Sequence, residues 1–530
     1  MIVQEIGKMM KNRREHAFAQ ITAEKTWDVL IIGGGATGLG AAVDAASRGY
    51  KTLLVEKADF AKGTSSRSTK LVHGGVRYLA QGDISLVLDA LEERGLMMKN
   101  APHLVKNQKF VIPSYSWWGG PFYTVGLKVY DMMAGKLGFG PSEYISKEEV
   151  MELIPNLIEE DLNGGVIYHD GQFDDSRLAI NLAQTAMEQG ASLLNYCELI
   201  GLEKNQAGMI DSARIVDVET SSTYVVKAKT IINACGVFVD DVIKMDDEKS
   251  PKKVVASQGV HIVLDKSFLQ GNHAIMIPKT SDGRVLFAVP WHKKVILGTT
   301  DTPMKESPED PKALDEEIDF ILNTAGKYLI KAPKREDILS VFAGLRPLAA
   351  PEKEGQETKE ISRNHKITIS LSGLITIIGG KWTTYRQMGE DLIEKAKLLG
   401  GLEDVECKTK NLAIHGFVNS PDFSDHFYVY GSDKVSLMNL IHSKAEYSEY
   451  LDKDLPYVVG QVIWAVRHEM ALHIEDVIAR RLRALYLDVE ASLRMAPKVA
   501  EYMALELGKD GDWIRNELEK FNKIAATFMQ

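Results

Sequence analysis

The sequence predicts an α/β protein with a parallel-sheet domain, a mixed β-sheet domain and a helical C-terminal domain. Three observations support this prediction. A strand–helix–strand pattern occupies residues 27–55, β-like runs dominate residues 252–369, and helical periodicity takes over after about Leu402. With 530 residues, the chain exceeds what one hydrophobic core usually accommodates, so two or three domains are expected.

The first predicted domain opens with a complete strand–helix–strand unit. Trp27–Gly33 is an apolar run typical of a buried parallel strand, Ala36–Ser47 is a helix of small residues, and Thr52–Val55 is a second apolar strand. Gly49 stands where a glycine commonly ends a helix. Together these features predict a Rossmann-like unit, in which the helix packs on two parallel strands.

Two later strands are predicted for the same domain. Thr230–Ala234 is followed by Gly236, and Leu374–Ile378 is followed by a pair of glycines. Because these pieces lie far apart in the sequence, the domain is predicted to be discontinuous, with another domain inserted into it. The predicted boundaries are 1–24 for an N-terminal extension, 25–100, 155–250 and 370–402 for the discontinuous domain, 101–154 and 251–369 for the mixed-sheet domain, and 403–530 for the helical domain.

The middle and C-terminal regions differ in periodicity. The β-like runs of the middle region are Val260–Leu264, Arg284–Val289 and Val295–Gly298. They predict a mixed or antiparallel sheet that lays one face over the ligand of the first domain. Ala350–Lys366 is polar and charged, which indicates a solvated loop. Tyr457–Leu487 and Ala491–Leu507 combine helical periodicity with abundant Ala, Leu, Arg and Glu, which predicts helices.

Charge and cysteine content exclude some classes of protein. The net charge of −10 argues against nucleic-acid binding over the whole surface, although a local basic cleft is compatible with it. Cys197, Cys235 and Cys407 include no C-x-x-C pair, so we predict no metal site and expect a reducing, cytoplasmic compartment. Met1–Gln20 lacks the apolar stretch of a signal peptide; a short amphipathic helix and a surface-packed extension are both compatible with it. Because no apolar run reaches ~20 residues, any membrane association is expected to be peripheral.

A glycine-rich fingerprint lies between the first strand and the first helix. Gly33 permits a tight turn, Gly35 lets the backbone approach a pyrophosphate, and Gly38 allows the helix to pack closely on the strand. The helix N-terminus then offers free N–H groups to that anion. Glu56, at the end of the second strand, is the expected acidic partner of the ribose hydroxyls. This combination predicts dinucleotide binding, without deciding between FAD and NAD.

Further motifs follow in order along the chain. They are the hydroxyl-rich Gly63-Thr64-Ser65-Ser66, then His73-Gly74-Gly75-Val76-Arg77-Tyr78-Leu79, Asn233-Ala234-Cys235-Gly236, Ser257-Gln258-Gly259-Val260-His261, Gly298-Thr299-Thr300-Asp301, Gly344-Leu345-Arg346-Pro347-Leu348, Ser362-Arg363-Asn364 and Gly379-Gly380-Lys381-Trp382-Thr383-Thr384-Tyr385-Arg386. On these residues the chain resembles the FAD-dependent glycerol-3-phosphate dehydrogenases of the D-amino-acid-oxidase-like flavoprotein superfamily. The resemblance covers roughly residues 25–400 and extends more loosely to Arg467-His468-Glu469. Ser257-Gln258 and Asn364 differ from the residues that are usual at these positions of the family motifs.

The resemblance implies a tightly bound FAD in a Rossmann-like FAD-binding domain, with the mixed sheet as a substrate or cap domain. A hydroxyl-rich loop suits this role because it can satisfy phosphate oxygens and flavin heteroatoms. The residues expected to bind the cofactor are Gly33, Gly35, Gly38, Glu56, Thr64, Ser65, Ser66, His73, Gly74, Gly236, Gly380, Thr383 and Thr384.

The same resemblance implies oxidation of glycerol 3-phosphate to dihydroxyacetone phosphate. His261 is the preferred base for the hydroxyl proton, because imidazole titrates near neutral pH; His73 is the alternative. Arg346 and Arg363 are the predicted clamp for the phosphate, since arginine binds such anions with two donors. Lys381 is expected to reach the substrate or to stabilise negative charge on reduced flavin. Further substrate contacts are expected from Arg77 and Tyr78.

Members of the family usually pass their electrons to a membrane quinone, and some relatives pass them to oxygen. Pro113–Gly140 is rich in aromatic residues, which suits peripheral contact with the inner face of the cell membrane or a cap over the substrate domain. A homodimer is compatible with the sequence. Three alternatives stay open: a glycerol-3-phosphate oxidase that makes hydrogen peroxide, an oxidoreductase of a small hydroxy or amino acid, and an interaction module without turnover. An NAD-linked enzyme is the alternative that fits least, because the motifs between Gly63 and Leu79 resemble flavin contacts.

Overall fold

A computed structural model describes residues 14–75, 84–116, 119–135, 138–278, 280, 285–350 and 364–530. Three residues predicted to bind the substrate, Arg77, Tyr78 and Arg363, lie outside the described residues, as do Trp117 and Trp118. The strands are β1 (Trp27–Ile32), β2 (Thr52–Val55), β3 (Leu71–Val72), β4 (Val105–Ser114), β5 (Glu143–Ile145), β6 (Gly164–Phe173), β7 (Ser192–Leu194), β8 (Cys197–Lys204), β9 (Ile210–Asp217), β10 (Thr223–Asn233), β11 (Val254–Asp265), β12 (Ala274–Ile277), β13 (Leu286–Trp291), β14 (Lys294–Gly298), β15 (Thr302–Met304), β16 (Ile338–Ala349), β17 (Lys366–Ile369) and β18 (Leu374–Ile378).

The α-helices alternate with these strands in the first part of the chain and dominate the last part. They are α1 (Ala36–Ser47), α2 (Ile84–Asn100), α3 (Gly119–Ala134), α4 (Lys147–Leu153), α5 (Asp175–Glu188), α6 (Val239–Asp246), α7 (Asp315–Ala325), α8 (Tyr385–Gly400), α9 (Lys434–His442), α10 (Val459–His468), α11 (Ala484–Leu487), α12 (Val489–Leu507) and α13 (Gly511–Ala525). No helix in the described part of the chain is both long enough and apolar enough to cross a membrane.

The first sheet has a parallel core in the order β18-β10-β1-β2-β7, with β17 antiparallel at one edge and the β8–β9 hairpin joined to β10. Val29, Leu30 and Ile31 of β1 are fully buried, because the other strands and helices cover both faces of this sheet. The predicted strand–helix–strand unit is confirmed. The predicted strand at Thr230–Ala234 is the end of the longer β10.

Helix α1 ends as its sequence predicts. Gly49 has a φ of +94°, and its N–H donates to the carbonyl of Ala46. The next N–H, that of Tyr50, donates to Ala45. This pair of bonds is the Schellman arrangement, which satisfies carbonyls that the helix itself leaves without donors.

The second sheet has the order β15-β11-β14-β13-β12-β4-β6-β3, with β16 on β11 and β5 on β6. Its β12–β4 pair is parallel and its other pairs are antiparallel, so the predicted mixed sheet is confirmed. The predicted loop Ala350–Lys366 needs one correction, because Lys366 begins β17 and pairs with Ile378. The sequence pattern missed this pairing because Lys366 looks like a surface residue; residues 351–363 lie outside the described residues.

The C-terminal region is helical, and the predicted helical segment Tyr457–Leu487 is divided into shorter helices. Helix α10 ends at His468, a π-helical turn covers Asp476–Arg481, and α11 follows. The breaks fall at two residues with positive φ, Met470 and Arg483. Local periodicity missed these breaks because the arginines of this segment are buried against Asp59, which follows β2, and Asp175, which begins α5, rather than exposed to water.

Candidate active site

A cavity of about 450 Å³ lies where the parallel strands β1, β10 and β18 end and the second sheet begins. The carboxyl edge of a parallel sheet is the usual place for a ligand in this architecture. The predicted residues that line the cavity are Gly33, Gly35, Glu56, Thr64, Ser65, His73, Gly236, Gly380, Thr383, His261, Arg346 and Lys381. The predicted residues Gly38, Ser66, Gly74 and Thr384 lie behind its wall.

The turn between β1 and α1 has no room for side chains. Gly33 has a φ of +108°, and a Cβ there would lie 2.7 Å from the carbonyl oxygen of Ala234. A Cβ on Gly38 would lie 1.9 Å from the carbonyl oxygen of Gly33, so the helix packs directly on the turn. The N-terminus of α1 therefore faces the cavity with backbone alone, which suits a pyrophosphate.

Glu56 stands at the end of β2 and lines the same end of the cavity. Its carboxylate accepts hydrogen bonds from the backbone N–H groups of Gly34 (2.7 Å) and Ala58 (2.9 Å). Burial raises the pKa of Glu56, and these two donors oppose the rise. The side chain is thus held in place beside the glycine turn, where a ribose hydroxyl is expected.

The hydroxyl-rich loop divides its side chains between the cavity and the protein interior. Ser65 lines the cavity and its hydroxyl accepts a hydrogen bond from the N–H of Ala36 (2.9 Å). Thr64 lines the cavity and donates to the carbonyl of Leu345 (2.5 Å). Ser66 is fully buried, and its hydroxyl lies 2.9 Å from the hydroxyl of Tyr486. Ser66 therefore packs the loop onto the C-terminal region instead of reaching the cavity.

Two other residues that were predicted to bind the cofactor, Gly74 and Thr384, instead support the cavity wall. Gly74 donates its N–H to the hydroxyl of Tyr130 (2.9 Å), and a Cβ there would lie 2.4 Å from Leu91. Thr384 is buried and donates to the carbonyl of Lys381 (3.3 Å). Both positions shape the wall from behind.

His261 comes from the middle of β11, between β14 and β16. Its ring is buried and stacks on Phe342, with 4.8 Å between the ring centroids. Its Nε2 lies 2.9 Å from the hydroxyl of Thr69. A Cβ on Gly298, the cross-strand neighbour, would lie 2.4 Å from the ring, so only glycine leaves space there. Burial, then the charges of Lys70 and Arg346, hold the pKa of His261 well below its usual value, so the imidazole is neutral near pH 7.

Arg346 comes from β16, the strand next to His261. Its Nη2 donates to the hydroxyl of Thr299 (3.1 Å) and to the carbonyl of Thr300 (3.0 Å), and its Nη1 lies 3.5 Å from Asp301. A Cβ on Gly259 would lie 2.3 Å from Nη2, so the guanidinium crosses the neighbouring strand where that strand has no side chain. These contacts hold the guanidinium in place, and Arg346 lines the cavity.

Lys381 reaches the cavity through a turn of two glycines. Gly379 and Gly380 follow β18 with φ values of +79° and +88°, which a residue with a side chain adopts only with strain. The next residue, Trp382, donates its indole N–H to the carbonyl of Ser65 (2.8 Å). This bond ties the turn that carries Lys381 to the hydroxyl-rich loop. His73 lines the cavity nearby, and its carbonyl accepts from Thr383 (3.5 Å).

Sequence reasoning missed several residues of the site. Arg67 and Lys62 line the cavity and contact Asp310 at 2.7 and 3.4 Å. Thr69 contacts His261, and Asp301 contacts Arg346. Each of them stands inside or beside a family motif, and that position was the available signal. Their roles depend on partners that are distant in sequence.

The cavity therefore has two unlike ends. The glycine turn, Glu56 and the hydroxyl loop form a backbone-lined end that fits a dinucleotide. His261, Arg346 and Lys381 also line the cavity and supply two cations and a neutral imidazole; we call this set the cationic end. Within the described ranges, no group of three or more His, Cys, Asp or Glu side chains is arranged to hold a metal ion.

Comparison with known proteins agrees with this geometry. The family profile described as FAD dependent oxidoreductase matches residues 28–386, and the profile described as the C-terminal domain of alpha-glycerophosphate oxidase matches residues 376–513. The mitochondrial glycerol-3-phosphate dehydrogenase of Macaca fascicularis is 39% identical over 96% of this chain and 75% of its own length. The enzyme of the same name from Schizosaccharomyces pombe is 35% identical over 94% of this chain and 87% of its own length.

Solved structures give the same result. The crystal structure of the glycerol-3-phosphate dehydrogenase from Bacillus halodurans complexed with FAD superposes with a TM-score of 0.80 at 29% identity, covering 98% of each chain. The L-alpha-glycerophosphate oxidase from Mycoplasma pneumoniae with FAD bound shares the fold, with a TM-score of 0.55 at 16% identity over 73% of this chain and 98% of its own.

Proposed function

The chain belongs to the FAD-dependent oxidoreductases and, within them, to the family of the FAD-linked glycerol-3-phosphate dehydrogenases; from this premise we propose that it oxidises sn-glycerol 3-phosphate to dihydroxyacetone phosphate. The observation that supports this proposal is that one cavity contains both sets of residues. The glycine turn, which fits a dinucleotide, and the side chains of His261, Arg346 and Lys381 line the same cavity.

The cofactor-binding role falls to backbone groups. When bound, FAD supplies the acceptor for the hydride of the alcohol carbon. The N-terminus of α1 would hold the pyrophosphate, Glu56 would accept hydrogen bonds from the ribose hydroxyls, and Thr64 and Ser65 would contact the cofactor beside the turn. Gly236, Gly380 and Thr383 complete this set from the ends of β10 and β18. This set combines backbone groups of the glycine turn with the carboxylate of Glu56 and the hydroxyls of Thr64, Ser65 and Thr383.

Binding of the phosphate falls to the cationic end. Arg346 presents a guanidinium that Thr299, Thr300 and Asp301 hold in one orientation, so little order is lost when an anion binds. Lys381 adds a second positive charge in the same cavity. The pair favours a phosphate ester over glycerol itself. Arg77, Tyr78 and Arg363 stay predictions as further substrate contacts.

Removal of the hydroxyl proton falls to His261. A group that accepts a proton must be unprotonated beforehand, and the pKa of His261 lies well below its usual value because of burial and the charges of Lys70 and Arg346. The imidazole is therefore ready to accept a proton at neutral pH. Stacking on Phe342 and the contact with Thr69 fix the plane of the ring. His73, the alternative base, lines the cavity beside the turn that carries Lys381.

The substrate assignment is tested by product formation with purified protein. We expect dihydroxyacetone phosphate from sn-glycerol 3-phosphate, measured with a dye as electron acceptor. Glycerol, a small hydroxy acid and a small amino acid serve as comparison substrates at equal concentration. Turnover of a carboxylate substrate with none of glycerol 3-phosphate would assign the cationic end to a carboxylate instead.

A membrane quinone is the proposed electron acceptor, and one surface supports it. Helix α3 exposes Val125, Val129 and Met132 on one side, and the adjoining helix α2 exposes Ile84 and Leu88. Exposed apolar side chains on two neighbouring helices suit shallow contact with a lipid surface. The α3 part of this patch lies within Pro113–Gly140, the region whose aromatic content predicts membrane contact. The patch supports peripheral contact with a membrane, and we propose its inner face because the cysteine pattern predicts a cytoplasmic compartment.

The choice of acceptor is tested by reoxidation of the reduced enzyme. Stopped-flow mixing with a short-chain quinone is expected to restore the flavin absorbance much faster than mixing with oxygenated buffer. A Val125→Ser, Met132→Ser variant is expected to keep its turnover with a soluble dye and to lose sedimentation with anionic vesicles. Rapid reoxidation by oxygen with release of hydrogen peroxide would identify an oxidase.

A further inference from the structure

Lys70 is a fully buried cation that is not among the residues lining the cavity. It follows Thr69 in the loop before β3 and adopts a φ of +63°. Its Nζ lies 2.6 Å from a carboxylate oxygen of Asp175 and donates to the carbonyl of Ser66 at 2.6 Å. Burying a lysine is costly, so a lysine kept here needs an explanation beyond packing.

Aromatic rings surround the rest of the ammonium group. Its Nζ lies 5.6, 5.1 and 5.0 Å from the ring centres of Trp291, Phe342 and Tyr486. Phe342 is also the ring on which His261 stacks. The lysine and the imidazole thus contact the same phenyl ring, and the neighbour of Lys70 in the chain, Thr69, contacts His261 directly.

The charges around Lys70 nearly cancel one another. Arg483 lies 2.9 Å from Asp175 and 3.4 Å from Asp174, and His292 lies 3.5 Å from Asp174. The cluster therefore contains two fixed cations and two carboxylates. All four of these charged residues are buried. Coulomb interactions are stronger in such a site than at the surface, because little water screens them.

His261 faces two of the charged side chains among the described residues. The charge of Lys70, in the loop before β3, and that of Arg346, on β16, both oppose protonation of the imidazole and lower its pKa. Asp175 pairs with Lys70 and Arg483, and Asp174 pairs with Arg483. Only cations of the described residues therefore act directly on the imidazole.

We propose that Lys70 is a positioning residue for the oxidation: its buried ammonium opposes protonation of His261, so that the imidazole stays in the form that accepts the hydroxyl proton of the substrate. This inference rests on the base role of His261 proposed above. It gives the C-terminal region a function in catalysis, since Arg483 and Tyr486 complete the enclosure of the lysine.

The titration of Lys70 is consistent with this role. Burial lowers the pKa of Lys70 to about 7, and the charge of Asp175 opposes the fall. The ammonium therefore keeps its proton below about pH 7. That is the range in which His261, with its lowered pKa, would begin to take up a proton. The cation is present where its repulsion matters.

The test is the pH dependence of flavin reduction in a single turnover, with the holoenzyme and saturating glycerol 3-phosphate. Lys70→Met removes the cation, so the pKa of His261 is expected to rise by roughly one unit. The unprotonated imidazole is the active form, so the rate of flavin reduction falls at low pH; we call this part of the pH–rate profile the acid limb. In Lys70→Met the acid limb is expected to move to higher pH by the same amount, and the full rate is expected to return at alkaline pH. Lys70→Arg is expected to keep the limb near its original position.

A matched control separates this effect from loss of a buried cation in general. Arg94 is equally buried, and its Nη1 lies 2.6 Å from Asp170, but it faces Tyr130 and Phe139 instead of His261. Arg94→Met is expected to destabilise the fold without moving the acid limb. If Lys70→Met fails to fold, the double variant Lys70→Met, Asp175→Asn removes the pair together and avoids an uncompensated carboxylate. The acid limb of the double variant is expected to move to higher pH by less than that of Lys70→Met, because an anion is removed together with the cation.

A direct measurement complements the kinetics. In protein with carbon-13-labelled histidine, the ring signal assigned by its loss in His261→Gln is expected to titrate at higher pH in Lys70→Met. An unmoved acid limb and an unmoved ring titration in Lys70→Met, or in the double variant if Lys70→Met fails to fold, would overturn the proposal. If instead the acid limb survives in His261→Gln, the base role of His261 fails, which is a separate result.

Discussion

The two ends of the cavity use opposite means to bind their ligands. The cofactor end consists of backbone: a Cβ on Gly33 or Gly38 would collide with a carbonyl oxygen, and helix α1 points its N-terminus into the space. The substrate end consists of long side chains, Arg346 and Lys381, beside a neutral His261. The first end is sensitive to added volume, whereas the second is sensitive to lost charge. Variants at the two ends should therefore fail in different assays.

The largest expected effect lies at the substrate end. Arg346→Ala is expected to lower kcat/KM for glycerol 3-phosphate by roughly a thousand-fold, since removing one partner of a desolvated charge pair costs about 4 kcal/mol. Steady-state kinetics measure this loss, and the flavin content should stay at one per chain. Arg346→Lys, which keeps the charge without the fork, should fall between the two. An unchanged kcat/KM would move the phosphate to another residue.

The next effect concerns the base. His261→Gln keeps a polar side chain of similar size beside Thr69 but removes the proton acceptor. We expect flavin reduction to slow by about a hundred-fold, at the lower end of the usual contribution of such a group. Stopped-flow absorbance under anaerobic conditions measures it. Because the ligand contacts remain, KM should change little; reduction at full speed would transfer the role to His73.

A smaller effect is expected when volume is added at the cofactor end. Gly33→Ala places a Cβ 2.7 Å from the carbonyl oxygen of Ala234 at a φ of +108°. This strain should cost about 2 kcal/mol, or roughly a thirty-fold weaker affinity for FAD. Fluorescence titration of the apoprotein with FAD measures it.

Gly49→Ala is the matched control for this variant. Gly49 also has a positive φ, +94°, but its Cβ would have open space around it. It should therefore lose thermal stability and keep its affinity for FAD. Equal loss of FAD affinity in both variants would mean that backbone strain, and not crowding at the turn, controls the cofactor end.

The smallest expected effect is at the ribose contact. Glu56→Gln keeps the shape of the side chain but replaces one of its two acceptor oxygens with an NH2 group, which is a donor. The affinity for FAD should fall about ten-fold, the cost of one charge-assisted hydrogen bond. The same fluorescence titration checks it, and kcat at saturating FAD should not change. A fall in kcat would place Glu56 nearer to the chemistry than the structure suggests.

The sequence predicted the cofactor end more completely than the substrate end, for a physical reason. Strand β1, helix α1 and strand β2 are adjacent in the chain, and apolar periodicity with glycine spacing determines them locally. His261 and Arg346 belong to neighbouring strands of the second sheet, whose pairing no local pattern reveals. The family resemblance, and not periodicity, singled them out. Their roles stay predictions, as do those of Arg77, Tyr78 and Arg363.

Buried charges were the least predictable feature. Lys70 and Arg483 resemble ordinary surface residues in the sequence, yet both are buried around Asp175. The same applies to Arg480 and Arg481, which both pair with Asp59 from the π-helical turn. Although burial alone raises the pKa of Asp59, Arg481 and Arg480 lower it below its usual value. Such clusters join segments that are hundreds of residues apart, so they become visible only in the folded chain.

The central claim is that one cavity binds a flavin at its backbone end and a phosphate ester at its cationic end. An anaerobic titration of the purified yellow protein with sn-glycerol 3-phosphate, followed by visible absorbance, tests it most directly. The account predicts that bleaching develops as substrate is added, that equimolar glycerol causes none, and that Arg346→Ala protein stays yellow at the same concentrations. Protein that is colourless and cannot be reconstituted with FAD, or that glycerol bleaches equally well, would contradict it.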